Sequence, residues 1–155
     1  MRFLLAGFQV YLIGRFWVSP EVPVTTEDYT FQILGLLWTG NRPSAQKVAR
    51  KLLVQQREDG GWAQTKTLTS DAYATGQALF AIGKAGILKP SQPAYQRGAE
   101  YLRTTQYADG SWYVQSRTTV PFQPYFESGF PHGRDQFISV AATNWAAMAL
   151  LPVAR

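Results

Sequence analysis

A seven-residue pattern, Gln-x-x-Asp-Gly-(Gly/Ser)-Trp, occurs twice in this chain and constrains its fold more than any other feature. The copies span residues 56–62 and 106–112, and their tryptophans, Trp62 and Trp112, lie 50 positions apart. A spacing of this size is typical of a helical repeat. The alternative is two unrelated surface turns that share Asp-Gly. We favour the repeat because the helices predicted around the two copies also match.

Each copy has the composition of a turn that ties two helices together. Asp-Gly is a turn dipeptide, because glycine adopts positive φ at little cost and aspartate bonds its own backbone. A glutamine at a helix end, here Gln56 or Gln106, has an amide free to bond the exposed backbone groups of a neighbouring helix end. Together with the indole that follows, each copy looks like a staple between an outgoing and an incoming helix. We therefore assign structural roles to Gly61 and Gly110 as well.

Composition excludes several classes of protein. The chain has 155 residues, 46% of them hydrophobic, which is enough for one sizeable core. It has no cysteine, so it forms neither disulfides nor cysteine–metal sites. The net charge is +5, but the basic residues are scattered, whereas a nucleic-acid interface needs them clustered. No apolar run approaches the roughly 18 residues of a membrane-spanning helix. We expect no nucleic-acid partner.

The first 28 residues differ from the rest. Segment 3–14 is mostly apolar and is flanked by Arg2 and Arg15, like the core of a signal peptide, but no small-x-small cleavage site follows it. Three interpretations stay open: a helix packed on the repeats, an anchor on a membrane surface, or a targeting segment. We divide the chain into this segment with its polar linker, 1–28, and a repeat domain, 29–155. Cytoplasmic, peripheral-membrane and exported locations all stay open.

The repeat domain is predicted to alternate two kinds of helix. Segments 29–38, 71–83 and 138–151 are apolar on nearly every side, which is typical of helices buried among neighbours. Segments 45–56 and 94–106 are amphipathic, with charged residues on one face. Alternating inner and outer helices describe an all-α fold, either an α/α solenoid or an arc of an α/α toroid.

The ends of these helices carry further expectations. Ser44 is expected to cap the second helix, and Ser70 or Asp71 the third. The first and last helices would each leave an apolar face exposed unless something covers it. We therefore expect a homo-oligomer, or a chain that is part of a longer protein.

The repeated pattern is similar to the QW motif of squalene–hopene cyclases and oxidosqualene cyclases, whose α/α-barrel fold is shared with protein prenyltransferases. The resemblance covers about residues 29–151. Segments 69–79 and 121–133 also look like a subgroup of squalene-cyclase-like repeat proteins. The resemblance implies a terpenoid cyclase/protein prenyltransferase-like α/α toroid. With about five to six helices, this chain would form a partial barrel, about half of a closed one.

The resemblance raises the question of catalysis. In squalene–hopene cyclases an Asp-x-Asp-Asp-Thr motif starts an inner helix, and its middle aspartic acid protonates the substrate. The matching segment, 71–75, keeps Asp71 and Thr75 but has Tyr73 in place of the proton donor. A phenol with a pKa of about 10 cannot protonate an alkene as that acid does. If the chain is an enzyme, the resemblance implies a terpene cyclase-like isomerase or lyase with a degenerate acid motif. Asp71 is expected to act mainly as a helix cap.

A second group of candidates lies in the loop after Trp112. Glu127 and His132 would form an acid/base pair at a polar mouth, beside Phe126 and Phe130. The alternative is a salt-bridged loop that closes the end of the helix array. The candidate catalytic residues are therefore Asp71, Tyr73, Glu127 and His132. We expect no metal and no cofactor, because the chain has a single histidine and no cysteine.

For function, the resemblance implies a domain that binds an apolar, isoprenoid-type ligand. Aromatic rings in working cyclases stabilise carbocations through their π faces. The candidate ligand-binding residues are Trp38, Phe80, Phe122, Tyr125, Phe126, Phe130 and Trp145. Two alternatives stay open: ordinary core packing for these rings, and for the whole domain a non-catalytic α/α scaffold that binds protein or glycan. Peripheral contact with a membrane is a further expectation.

Overall fold

The computed structural model describes residues 23–117 and 127–153, and every regular element within them is helical. The apolar segment 3–14 and three of the candidate aromatic residues, Phe122, Tyr125 and Phe126, lie outside these residues. The helices are α1 (Thr26–Trp38), α2 (Arg42–Leu53), α3 (Ala72–Lys84), α4 (Pro93–Thr104) and α5 (Gln136–Leu150), with short 3₁₀ turns at Gly133–Asp135 and Leu151–Val153.

Helix α3 lies at the centre of the array. It packs against α1 on one side and α5 on the other, while α2 packs on α1 and α4 touches α3 and α5. Nine of its residues are buried, most of them alanine or another small residue. Small side chains let helix backbones approach closely, so α1, α3 and α5 form an inner row with α2 and α4 outside it. The predicted all-α fold of alternating inner and outer helices is confirmed, and it is consistent with an arc of an α/α toroid.

The contact between α3 and α5 depends on one glycine. A Cβ atom at Gly76 would lie 2.6 Å from the carbonyl carbon of Trp145, which is closer than real Cβ atoms approach. The two inner helices therefore touch backbone to backbone at this point. This contact fixes where the side chains of α5 lie relative to those of α3.

Local chemistry sets the start of α1. The helix begins at Thr26, earlier than the expected start at Tyr29. The reason is a capping box: the Thr25 hydroxyl accepts from the Asp28 backbone N–H, and the Asp28 carboxylate accepts from the Thr25 N–H. This arrangement satisfies two backbone donors that a helix start otherwise leaves free. The division of the whole chain into 1–28 and 29–155 stays a prediction.

The predicted cap of α2 is wrong, and that of α3 is resolved. Asn41, not Ser44, caps α2, because the Asn41 side chain accepts from the Ser44 N–H while Pro43 occupies the first turn. Proline suits that turn since its missing N–H would have no partner there. At α3 the Asp71 carboxylate accepts from the Ala74 N–H at 2.8 Å, so the predicted role of Asp71 as a cap is confirmed.

Among the described helices, none combines the length and the apolar character that crossing a bilayer requires.

Candidate functional site

The two tryptophans of the repeated pattern occupy equivalent positions. The indole N–H of Trp62 donates to the Leu52 carbonyl at 2.9 Å, and that of Trp112 donates to the Leu102 carbonyl at 2.7 Å. In both cases the acceptor lies ten residues earlier, near the end of the preceding outer helix. Trp62 is 0% exposed and Trp112 is 3% exposed. Each indole therefore holds its turn against its own outer helix.

The turns are also tied to the next inner helix in the same way. The backbone N–H of Trp62 donates to the Thr75 hydroxyl at 2.9 Å, and that of Trp112 donates to the Thr143 hydroxyl at 3.1 Å. These threonines occupy matching positions in α3 and α5. The two turns are thus structural repeats of one another, as their sequences predict.

The glutamines differ in what they reach. The Gln56 amide donates to the carbonyls of Gly60, at 2.9 Å, and of Ala94 in α4, at 2.7 Å, and Arg97 donates to its oxygen. The prediction that a glutamine bonds a neighbouring helix end is therefore confirmed at Gln56. The Gln106 amide donates to the Gly110 carbonyl within its own turn, at 2.9 Å, and the Gln106 side chain is exposed.

Three rings from three inner helices meet and form what we call the aromatic face: Phe31 of α1, Phe80 of α3 and Trp145 of α5. The ring centroids of Phe80 and Trp145 are 5.5 Å apart, and those of Phe31 and Trp145 are 6.3 Å apart, both in edge-to-face geometry. All three side chains are only partly buried. Rings from α1 and α5 meet across α3, which indicates that the inner row is concave on this side.

Phe80 and Trp145 are among the predicted ligand-binding residues, but Phe31 is not. The omission has a physical reason. Phe31 lies in an apolar helix, and its sequence does not reveal which side of that helix faces the other rings. Matching the helical phase of α1 to that of α3 and α5 would have been the available signal.

An apolar pocket of about 550 Å³ adjoins the aromatic face. It lies where the ends of α3 and α5 meet the start of α4, and Phe80 is common to the face and the pocket. Leu79, Leu88, Tyr95 and Met148 contribute to its lining. The ammonium of Lys84 lies 5.2 Å from the Phe80 ring centroid and places one positive charge at the pocket.

In the degenerate acid motif, the side chains of Asp71 and Tyr73 both bond other residues of the fold. The second carboxylate oxygen of Asp71 lies 2.6 Å from the Arg117 guanidinium, while the first caps α3. The Tyr73 hydroxyl donates to the Glu27 carboxylate at 3.1 Å. Burial, and then the charge of Glu27, raise the pKa of Tyr73 well above its ordinary value. A phenol in this setting releases its proton even less readily than a free one.

His132 belongs to a cluster with Ser111 and Asp109 that the sequence does not predict. Its Nε2 atom is 2.7 Å from the Ser111 hydroxyl oxygen, and that hydroxyl donates to the Asp109 carboxylate at 2.6 Å. Because the serine proton points to Asp109, His132 Nε2 must carry the proton it shares with Ser111. His132 also has a φ of 85°, an unusual conformation for a residue other than glycine. Glu127, the predicted partner of His132, accepts from the Gly129 N–H at 3.0 Å.

This cluster indicates a structural role for Ser111 and not that of a nucleophile. Ser111 is 4% exposed, and its hydroxyl is engaged on both sides. The rings of Tyr107, Tyr113 and Phe130 lie 5.1, 5.4 and 6.3 Å from the His132 ring. The loop containing His132 is thereby fastened to the second turn.

The remaining candidates lie apart from the aromatic face. Trp38 is the last residue of α1 and is 76% exposed. Phe130 lies beside His132 at the second turn. The structure therefore brings two of the predicted ligand-binding residues together, Phe80 and Trp145, and adds Phe31. Within the described ranges, 23–117 and 127–153, no group of three or more His, Cys, Asp or Glu side chains is arranged to hold a metal ion.

Comparison with known proteins agrees with the resemblance read from the motifs. Over 111 residues the chain is 32% identical to the squalene–hopene cyclase of Bradyrhizobium diazoefficiens, a match that covers 64% of this chain. Part of this chain is a squalene-cyclase-like sequence. The match spans only 16% of the length of that cyclase. No family model matches the chain, and no solved structure matches it.

Proposed function

We propose that this squalene-cyclase-like domain binds an apolar, isoprenoid-type ligand on its aromatic face and holds it without Asp-rich protonation chemistry. One observation carries the proposal. Phe31, Phe80 and Trp145 converge from three separate helices, yet each ring stays partly exposed. The three rings therefore present apolar surface at one place, which a ligand can cover.

The geometry of the rings suits an unsaturated hydrocarbon. Edge-to-face pairs leave the π face of at least one ring open to a further contact. Burying the remaining apolar surface of the rings under a ligand would contribute roughly 25 cal/mol for each Å² removed from water. In a cyclase such faces also stabilise a carbocation, whereas here we propose that they contribute binding alone.

The adjoining pocket supplies room for an elongated ligand. Its volume of about 550 Å³ falls within the range of ordinary small-molecule sites. Since Phe80 lines both regions, a chain lying across the aromatic face would continue into the pocket. Lys84 at the pocket would then lie close to that end of the ligand.

The partners of Asp71 and Tyr73 support binding without protonation. Asp71 caps α3 through one carboxylate oxygen and pairs with Arg117 through the other, so both oxygens already have partners within the fold. The Tyr73 hydroxyl donates a hydrogen bond to the Glu27 carboxylate. We therefore expect the full chain to yield no cyclised hydrocarbon when incubated with squalene. Formation of such a product, lost in Asp71→Asn, would contradict the proposal.

The binding test compares aromatic variants. Calorimetric titration of the full chain with farnesol, and with squalene in detergent micelles, should show saturable binding that Phe80→Ala and Trp145→Ala weaken at least about tenfold. Phe137→Ala is the matched control, because Phe137 is an exposed aromatic residue on the same helix as Trp145 but outside the aromatic face. Equal affinity in all variants, or no binding at all, would overturn the proposal. Mass spectrometry of a solvent extract of the purified chain should detect a co-purified apolar lipid.

The alternative function, a non-catalytic scaffold for protein or glycan, is favoured by a different observation. The second turn has the same form as the first, but Gln106 and Gly110 are exposed, whereas the matching Gln56 is partly buried and Gly60 is buried. A partner that binds equally well to the wild type and to Phe80→Ala would support the scaffold. Both functions are compatible in one domain, because the aromatic face and the second turn are separate surfaces.

A further inference from the structure

We propose that the ligand of this domain is an anionic amphiphile, a hydrocarbon chain that ends in one carboxylate, and that Lys84 binds the carboxylate. The inference rests on the proposed function, because the hydrocarbon part of the ligand would lie on the aromatic face. It adds the chemical class of the head group, which the aromatic rings alone do not determine. Its basis is the distribution of charge around the apolar pocket.

Lys84 lies where the aromatic face meets the pocket. It is the last residue of α3 and lines the pocket, and its ammonium lies 5.2 Å from the centroid of the Phe80 ring. Lys84 is exposed, so a ligand can reach the ammonium from solvent. Phe80 belongs to both the aromatic face and the pocket. A head group bound to Lys84 would therefore lie directly beside a hydrocarbon chain that covers Phe80.

The charge of Lys84 has no acidic partner within the part of the chain that the structure describes. The sequence explains why. All the residues that line the pocket come from segments 72–99 and 136–153, and neither segment contains aspartate or glutamate. No carboxylate from these segments competes for the ammonium. The positive charge at the pocket is therefore available to an anionic ligand.

Two further cations add to the charge near Lys84. Lys89 is exposed and stands between two residues that line the pocket. The Arg42 guanidinium donates to the carbonyl of Ala85, the residue after Lys84, at 3.4 Å. Charges of one sign around a cleft with apolar walls raise the local concentration of ligands of the opposite sign. Together these cations favour an anionic head group over a neutral hydroxyl.

The lining of the pocket favours a carboxylate over a diphosphate. Among the described residues that line the pocket, Lys84 alone is charged. The Tyr95 hydroxyl already donates to the Ala149 carbonyl, and the other lining side chains are apolar. One ammonium balances one carboxylate, whereas proteins hold phosphoryl groups with several cations or metal ions. The ligand is therefore assigned a single negative charge.

The ammonium can bind a carboxylate without leaving the Phe80 ring. It has three N–H donors, while its attraction to the ring is electrostatic and uses none of them exclusively. A hydrogen bond between two charged groups is stronger than one between neutral groups. Because Lys84 is exposed, water screens part of this attraction. We therefore expect the head group to change affinity by about three- to fivefold.

The test compares farnesoic acid with farnesol, which share a hydrocarbon skeleton and differ in the head group. Calorimetric titration of the full chain at about pH 7 and low ionic strength should show that the ionised acid binds about three- to fivefold more tightly. Lys84→Met, which keeps an apolar stem but removes the charge, should abolish this preference, and Lys84→Arg should retain it. Raising the salt to about 0.5 M should reduce it.

Lys66→Met is the matched control. Lys66 is also exposed but lies outside the pocket, so its substitution removes the same charge and should leave the preference for the acid unchanged. Because each variant is titrated with both compounds, the ratio of the two affinities separates the effect of the charge from a general loss of binding.

The possible results separate this inference from the proposed function. Equal affinity for the two compounds, or a preference that Lys84→Met leaves intact, would overturn the inference and leave the proposed function standing. A preference that depends on Lys84 but not on Phe80, tested with Phe80→Ala, would support the head-group site and contradict binding on the aromatic face. No binding of either compound would overturn both.

One further result would assign the cations to a membrane surface. In that case the chain shows no preference for farnesoic acid but sediments with phosphatidylglycerol vesicles, and Lys84→Met prevents the sedimentation. The inference would then be overturned, because the anions bound at Lys84 would be lipid head groups in a bilayer.

Discussion

The side-chain amide of Gln56 donates a hydrogen bond of 2.7 Å to the carbonyl oxygen of Ala94, at the start of the next outer helix. Arg97 of that helix donates back to the Gln56 oxygen. This exchange joins segments 38 and 41 residues apart in the sequence. In a repeat protein, where each unit contacts only its neighbours, such ties determine whether the units unfold together.

Gln56→Ala should therefore destabilise the domain out of proportion to its size. We expect the free energy of unfolding, measured with urea, to fall by about 1–3 kcal/mol, because the substitution leaves a cross-repeat donor and acceptor without a partner. Gln55→Ala is the matched control. The Gln55 amide bonds the Lys51 carbonyl within its own helix, so its loss should change stability by less than about 0.5 kcal/mol. Equal effects of the two substitutions would show that the tie contributes nothing.

Gly60 and Gly110 form a natural pair for separating backbone strain from steric overlap. Their φ values are 84° and 85°, so an alanine at either position carries the same backbone cost of about 1–2 kcal/mol. Gly110→Ala should cost this amount alone, since its Cβ meets nothing closer than 3.9 Å. Gly60→Ala should cost about 1–3 kcal/mol more, because its Cβ would collide with the Arg97 carbonyl. Similar unfolding energies for both variants would refute the close packing of α4 on the first turn.

Gly76 and Gly83 offer a second pair, on the single helix α3. At Gly83 an added Cβ would lie 3.8 Å from its nearest neighbour, so Gly83→Ala should stabilise the domain by up to about 1 kcal/mol through helix propensity. At Gly76 the Cβ would overlap the backbone of Trp145, and Gly76→Ala should destabilise the domain by about 1–3 kcal/mol. Thermal melting of both variants tests this: the melting temperature should rise for Gly83→Ala and fall for Gly76→Ala.

Gly76→Ala should also disturb ligand binding. Pushing α5 away from α3 would move the Trp145 ring relative to the Phe80 ring. The centroids of these two rings are 5.5 Å apart in the wild type. We expect weaker binding of farnesol by Gly76→Ala and unchanged binding by Gly110→Ala, which strains the second turn and lies outside the aromatic face and its pocket. Loss of binding in Gly110→Ala would show that the effect is not caused by the displacement of α5.

The sequence predicted the fold because its signals are local. The two Asp-Gly turns, the cap at Asp71 and the alternation of apolar and amphipathic helices each depend on residues close together in the chain. The same locality explains an error. Ser44 looks like a cap, but Asn41 precedes it, and Pro43 fits the first turn of a helix that has already begun.

The candidate site was predicted only in part because its contacts are long-range. Phe80 and Trp145 could be named from composition, but their meeting with Phe31 depends on how closely α3 approaches α5. The cluster of Ser111 and His132 joins residues 21 positions apart through a loop that has no periodicity to interpret. No local pattern contains the information that places such side chains together.

The carboxylate of Asp109 leads to a prediction about pH. The Ser111 hydroxyl and backbone N–H donate to it at 2.6 and 2.9 Å, and these bonds lower the pKa of Asp109 below its ordinary value, with a smaller contribution from His132. A pKa that is lower in the folded state stabilises the fold above the unfolded pKa, which is about 3.9 for aspartate. This stabilisation is lost as the pH falls through the folded pKa. Asp109→Asn should therefore be less stable than the wild type at pH 7, and the difference should shrink as the solution is acidified below about pH 4.

The serine provides the control for this prediction. Ser111→Gly removes the hydroxyl that donates to Asp109 and leaves the residue found at the same place in the first turn, Gly61. In that background Asp109→Asn should cost less, because the strongest bond to the carboxylate is already gone. Urea unfolding of the four proteins at pH 7 and at pH 3 measures both effects. A penalty for Asp109→Asn that is the same at the two pH values, or the same with and without Ser111, would mean that the carboxylate charge does not hold the second turn.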